Sequence, residues 1–344
     1  MIGLGGIGQR HLRNLKRLLG DDLEVVAWRQ LGRQHVLTDT LGVDPGVRLD
    51  ELYAITEFSD LDAALRTRPD VAFISNPSSL HLPAALAAAR AGCHLFIEKP
   101  LSHTLDGIDE LIDIVEARKL VAMVGYHMRF HPALRTVKAV LDAGTVGPLL
   151  AVRLEQGDYL PGWHAYEDYR TLYAVRREMG GGTLLSQIHE LDAICWLYGM
   201  PEKVFALGGQ WTNLEADVED VSSVLLECRH AGRALPVHVQ NDFIRRPPVR
   251  RHEVVGNDGT IVADFLRPEV LVTDASTGET TTHQFAGFQR NDMFVDELKH
   301  FLACVGGDAT PPVGLREARQ SLRVALAAHR SIETGTAVAT ATHL

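Results

Sequence analysis

The chain has no excess of positive charge, no long apolar run and no paired cysteines. Its 34 Lys and Arg stand against 44 Asp and Glu, a net charge of −10. Nucleic-acid phosphates and anionic lipid surfaces both call for a basic face, so neither is an expected partner. No uninterrupted apolar stretch approaches the roughly 20 residues that span a bilayer. No basic segment followed by an apolar one opens the chain, so no signal peptide is read. The four cysteines, Cys93, Cys195, Cys228 and Cys304, are far apart and form no Cys-x-x-Cys pair. They read as buried, reduced thiols, which fits a cytoplasmic location. What is present is ordinary for a soluble globular protein: 46% apolar and 23% charged residues over 344 positions, enough for two domains.

The chain opens Met1-Ile2-Gly3-Leu4-Gly5-Gly6-Ile7-Gly8. Gly3-x-Gly5-x-x-Gly8 fits the dinucleotide-binding fingerprint: a tight turn, a close backbone approach to a pyrophosphate, and close packing of helix on strand. Gly6 and Ile7 then lie where a helix N-terminus offers free N–H groups to phosphate. A buried strand should precede this turn, yet only Met1 and Ile2 do. Either the strand is a stub or residues that belong upstream are missing, and weak cofactor binding with early melting is expected.

Up to about residue 124, short apolar runs alternate with helical patterns. Leu23–Trp28, Val71–Ser75, His94–Ile97 and Leu120–Val124 read as buried strands; 9–19, 60–66, 81–91 and 104–118 read as helices. That alternation indicates a parallel sheet covered on both faces. Beyond it, alternating polarity as in Val237-His238-Val239-Gln240 suits an antiparallel sheet with one covered face. Asn257-Asp258-Gly259 marks a hairpin turn. Helices are expected at 132–143, 291–304 and 315–332. The division is 1–124 and 125–344.

Three further segments carry chemistry. Asn76-Pro77-Ser78-Ser79-Leu80-His81 ends one strand of the parallel sheet, where Asn76, Pro77 and His81 can line a cofactor ribose; Ser78 or Ser79 also suits a helix N-cap. Glu98-Lys99-Pro100 ends the next strand and faces the crevice where such sheets bind ligands. Lys99 there can hold or protonate a substrate oxygen, although the tripeptide also fits a surface lysine in a proline turn. In Gly180-Gly181-Gly182-Thr183-Leu184-Leu185-Ser186-Gln187-Ile188-His189-Glu190-Leu191-Asp192, His189 and Asp192 share a helix face. A carboxylate beside an imidazole can fix its tautomer for acid–base work. A buried structural histidine fits the same pattern, and no third ligand at helical spacing supports a metal.

In this order and spacing, the segments resemble the Gfo/Idh/MocA oxidoreductases. The resemblance spans essentially the whole chain. It includes the hinge-like Gly125–Pro132 segment with Arg129, Gly256-Asn257-Asp258-Gly259-Thr260 and Asn291-Asp292-Met293-Phe294. It implies an N-terminal Rossmann domain, a C-terminal α/β domain with a large open antiparallel sheet, and nicotinamide chemistry on a sugar or polyol. It implies that Lys99 and His189 act on the substrate oxygen, that Asp192 orients His189, and that the chain forms a dimer or tetramer. The chain departs from the family pattern at Ser186, which occupies the position of a usual aspartate. Two alternatives stand beside a dehydrogenase: a glycoside-cleaving enzyme that uses bound NAD, and a catalytically weak nucleotide-binding sensor.

The strand ending at Trp28 should meet the adenosine ribose about 20 residues past the glycines. Trp28-Arg29-Gln30 offers a cation rather than a carboxylate. Arg29 can pair a 2′-phosphate, which leans to NADP, or stack on the adenine of NAD. The loop from Tyr159 to Arg170 mixes rings and polar groups as a sugar site does. Tyr159, Trp163, His164, Tyr169 and Arg170 are its candidate substrate contacts, joined by Arg129 and Ser186.

Overall fold

A computed structural model describes residues 1–29, 34–38, 42–164 and 166–341. Its first part carries, in chain order, α1 (Gly6–Leu19), β1 (Val25–Trp28), β2 (His35–Leu37), β3 (Val43–Arg48), α2 (Leu49–Tyr53), β4 (Ile55–Phe58), α3 (Leu61–Arg66), β5 (Val71–Ile74), α4 (His81–Ala91), β6 (His94–Glu98), α5 (Ile108–Ala117) and β7 (Ala122–Gly125). β1 pairs with β4, and β5, β6 and β7 pair in turn, all parallel. Ile2 joins the two sets through parallel bridges to Trp28 and Ile74. Its N–H donates to the Phe73 carbonyl at 2.7 Å, and its carbonyl accepts from Ser75 at 2.8 Å. Residues 1–2 thus hold the central place between β1 and β5, and the glycine turn leaves from the carboxyl end of the sheet. β2 and β3 form a separate antiparallel hairpin.

The second part carries α6 (Pro132–Asp142), β8 (Leu149–Gly157), α7 (Thr183–Ser186), α8 (His189–Tyr198), β9 (Lys203–Gly209), β10 (Val221–His230), β11 (Arg233–Asp242), β12 (Val249–Gly256), β13 (Gly259–Asp264), β14 (Glu269–Asp274), β15 (Thr280–Gln284), α9 (Arg290–Gly306), α10 (Leu315–Thr334) and β16 (Val338–Ala339). Nine strands form one sheet in the order β15-β14-β13-β12-β8-β11-β10-β9-β16. The sheet is mixed rather than wholly antiparallel, because β8 runs parallel to β11. Alternating polarity reports which face is covered and not the direction of a neighbour. The inner face presents Val224, Leu226, Val237 and Val239 to the buried Leu191, Ile194, Ala325 and Ala328 of α8 and α10. Each large apolar side chain so buried contributes about 1.5–3 kcal/mol.

The helix α9 leaves the second part and covers the first. Phe301 meets Phe73 and Phe96 edge-on, with ring centroids 5.6 and 5.3 Å apart. Arg10 of α1 donates to Asn291 at 3.0 Å. The same helix brings Phe294 against His127 of the hinge segment, with ring centroids 4.2 Å apart. Among the described residues, no helix is long and apolar enough to cross a membrane.

Candidate active site

The glycine turn has room for a ligand at one position and none at the others. A Cβ on Gly3, whose φ is +90°, would lie 2.8 Å from the Asn76 nitrogen. One on Gly8 would lie 2.6 Å from both the Gly3 carbonyl and the Ser75 hydroxyl. One on Gly5 would meet nothing within 4 Å. Gly5 is also the N-cap of α1, and no side chain caps that end. The first intrahelical bond runs from Gln9 N–H to the Gly5 carbonyl at 2.9 Å, so the N–H groups of Gly6, Ile7 and Gly8 precede the ladder. This cradle fits a pyrophosphate.

Two strand ends converge beside it. The buried His81 ring spans them, with Nδ1 2.7 Å from the Pro100 carbonyl and Nε2 2.8 Å from the Asn76 carbonyl. His81 therefore braces the two loops through its side chain. Ser78–Leu80 form a 3-10 turn that runs into α4, and no side chain caps that helix. Glu98 lies 2.6 Å from His11 Nε2 and accepts from the Lys99 N–H at 3.2 Å. The Lys99–Pro100 peptide is cis. At the end of β1, Arg29 pairs with Glu57 of β4, and Gln34 donates to the same carboxylate at 3.1 Å. Gln30 lies outside the described residues.

The glycines at 180–182 leave room for close neighbours. A Cβ on Gly180 would fall 2.8 Å from His103 Cβ and 3.0 Å from Ser78 Cβ. A Cβ on Gly182 would enter the Glu219 carboxylate, which instead accepts from Leu184 N–H at 3.0 Å at the start of α7. This seating puts the end of α7 against the first sheet, and Lys99 Nζ donates to the Ser186 carbonyl at 2.8 Å. The Ser186 hydroxyl is buried and unbonded.

Three residues on, His189 opens α8. Its ring is 4.3 Å from that of His127 and edge-on to Tyr126 at 5.7 Å. Neither ring nitrogen has a hydrogen-bond partner. Burial first, then His127, Lys99, Arg250 and Arg290, holds its pKa well below the usual imidazole range. His189 is therefore a neutral base with its nitrogens free.

The expected role of Asp192 is corrected. Its carboxylate accepts from Arg129 Nε at 2.8 Å and Nη2 at 2.7 Å and makes no bond to His189. Arg129 is corrected with it: the buried guanidinium also donates to the Pro312 carbonyl at 2.9 Å, so it joins elements rather than facing a substrate. Buried guanidinium demands a carboxylate more strongly than neutral imidazole does.

The loop after β8 divides. Tyr159 lies under Arg246, and Trp163 packs edge-on against Phe243 at 5.4 Å, each close in sequence to Asp158, which interacts with Arg290 and Arg250. His164 bonds Glu167 at 2.9 Å and stacks on Tyr166, which approaches His35 of the β2–β3 hairpin. Tyr169 packs into a small core with Leu160, Leu172 and Phe243. Arg170 is half exposed and bonded to Asp168 and Glu215. Tyr169 and Arg170 thus contact groups of their own loop and of the Leu214–Glu215 segment. Ala165 lies outside the described residues.

Sequence reasoning missed three groups. His127 lies between His189 and Phe294, 4.2 Å from the latter ring. Arg250 of β12 donates to Glu190 at 2.8 Å. Arg290 opens α9, one turn before Phe294. His127 falls in a quoted segment, but nothing local in the sequence links the two arginines to His189. Among the described residues, no group of three or more His, Cys, Asp and Glu side chains is placed to hold a metal ion.

A phosphate cradle at the carboxyl end of a parallel sheet, facing a lysine and a neutral imidazole, defines a nucleotide-dependent oxidoreductase. Sequence comparison gives the family. Residues 1–126 match the oxidoreductase family with an NAD-binding Rossmann fold, and residues 134–262 match the GFO/IDH/MocA C-terminal domain. The chain belongs to the Gfo/Idh/MocA family of oxidoreductases. It is 28% identical to a myo-inositol 2-dehydrogenase of Thermotoga maritima over 340 residues, covering 97% of this chain and 95% of the relative. It is 26% identical to a scyllo-inositol 2-dehydrogenase (NAD(+)) of Bacillus subtilis over 341 residues, covering 97% and 94%. The fold superposes on a levoglucosan dehydrogenase in complex with NADH with a TM-score of 0.82 at 19% identity, covering 99% and 98%.

Proposed function

We propose that the chain interconverts a secondary alcohol and its ketone on a sugar, polyol or sugar derivative. The observation that carries this reading is the neutral His189 imidazole, both nitrogens free, on the cleft where Lys99 is anchored. A bound nicotinamide nucleotide supplies the two-electron acceptor or donor. His189 takes the hydroxyl proton in oxidation and returns it in reduction. Lys99 donates to the same oxygen and offsets its developing negative charge. The Ser186 carbonyl answers the lysine where the family pattern has a carboxylate, which supports a working site despite that departure. Inositol dehydrogenases among the relatives support a ring alcohol as substrate. The Arg29–Glu57 pair offsets the cation on which an NADP reading rests, and supports NAD. Domains divided near residue 125 fit this reading, with the cleft between them.

The test is a panel of inositols and aldoses assayed with NAD. Lys99→Ala and His189→Asn should each lower turnover by about 10²–10⁴-fold while changing the nucleotide dissociation constant only a few fold. Because burial keeps His189 unprotonated, the acid limb of wild-type kcat/KM should lie below the ordinary histidine range. Near wild-type turnover in either variant would remove that residue from the chemistry.

A further inference from the structure

We infer that the substrate is a sugar acid whose carboxylate sits between Arg250 and Arg290. This names the substrate class of the proposed dehydrogenase and rests on that reading for the position of the reacting carbon.

The placement comes from geometry. Arg290 and Phe294 are four residues apart on α9 and share a helix face. Phe294 lies 4.2 Å from the His127 ring, which lies 4.3 Å from His189. Arg290 therefore stands at the same wall of the cleft. From the sheet side, Arg250 reaches the start of α8, where its Nε donates to Glu190, the neighbour of His189, at 2.8 Å.

Neither guanidinium is fully answered. Arg250 Nη2 is buried with no partner. Arg290 is exposed and makes no hydrogen bond or ion pair among the described residues, so its guanidinium is open to an incoming group; nearby Arg250 lowers its pKa and Asp158 acts the other way. The buried guanidinium of Arg129, by contrast, is met by the Asp192 carboxylate. Of the three cations that act on His189, Lys99, Arg250 and Arg290, only Arg250 is paired with a carboxylate among the described residues, through its Nε to Glu190. A substrate carboxylate would answer the open Arg250 Nη2 together with Arg290, and a guanidinium fork matches its geometry.

The experiment compares D-glucuronate with D-glucose and D-galacturonate with D-galactose, each pair differing only at the acid carbon. Binding is measured by titration calorimetry on the full chain saturated with NAD, and oxidation is followed by nicotinamide absorbance. The acid of at least one pair should bind about ten-fold or more tightly than its neutral partner, with a preference that weakens in salt. Arg290→Gln should bring the acid-to-neutral ratio close to one without lowering the melting temperature, and Arg290→Lys should restore part of it. Equal affinities, a preference that survives Arg290→Gln, or no binding of any of the four probes overturns the inference. Oxidation of neutral sugars with no acid preference overturns it while leaving the dehydrogenase reading intact. Arg290-dependent binding of an acid, with no probe in either assay oxidised, upholds the inference and overturns the dehydrogenase reading.

Discussion

Arg129 is buried and fixed by two hydrogen bonds to one carboxylate, with side-chain exposures of 8% for Arg129 and 3% for Asp192. Removing one member of such a pair leaves an unanswered charge and costs about 3–5 kcal/mol. Asp192→Ala should therefore lower the urea midpoint of unfolding markedly. The acid limb of the pH–rate profile should not move, because burial and neighbouring cations tune His189, not Asp192. A shifted acid limb with unchanged stability would return Asp192 to the catalytic group. The sequence shows His189 and Asp192 one turn apart, and that spacing is real. It cannot show that a guanidinium from residue 129 claims the Asp192 carboxylate. Lys99 was legible for the opposite reason: its position at a strand end is local, and the crevice follows from the parallel sheet.

The glycine turn and α1 separate shape from binding within one element. Gly5 has a φ of −73°, open to any residue, and free space where a side chain would go. Gly5→Ala should leave the melting temperature of the cofactor-free chain nearly unchanged and weaken NAD binding. Gly8 sits in the helix, where alanine ordinarily gains about 1 kcal/mol over glycine. Its Cβ would, however, meet the rigid Gly3 carbonyl at 2.6 Å. Overpacking of about 1–3 kcal/mol outweighs propensity, so Gly8→Ala should melt earlier even without nucleotide. Equal melting of the two variants would mean that the turn relaxes around Gly8. Other elements were less legible. β4 reads Ile55-Thr56-Glu57-Phe58, with Thr56 and Glu57 exposed at the sheet edge, so it lacks the unbroken apolar run of β6. β3 contains Pro45 and Gly46 and is exposed throughout, which leaves no pattern to read. His81–Ala91 was legible to the residue because an alanine-rich run ends at Gly92 in a left-handed conformation.

At the scale of the molecule, the nine-stranded sheet has one face packed under helices and another that no element among the described residues covers. On that outer face, Phe205 and Leu225 stand opposite each other across β9 and β10, with Leu207 also turned outward. Their exposures run from 36% to 56%. An apolar cluster on a flat, regular surface gains by meeting another such surface, and a second copy of the same chain offers one related by symmetry. The expected state is a homo-oligomer joined through this face, measured by light scattering coupled to size-exclusion chromatography. Leu225→Asp places a charge at the centre of the cluster and should give the monomer mass. Its inner-face packing is unchanged, so nucleotide binding should persist in that monomer. A wild-type monomer at micromolar concentration, or an oligomer that survives Leu225→Asp, would mean that this face serves some other contact.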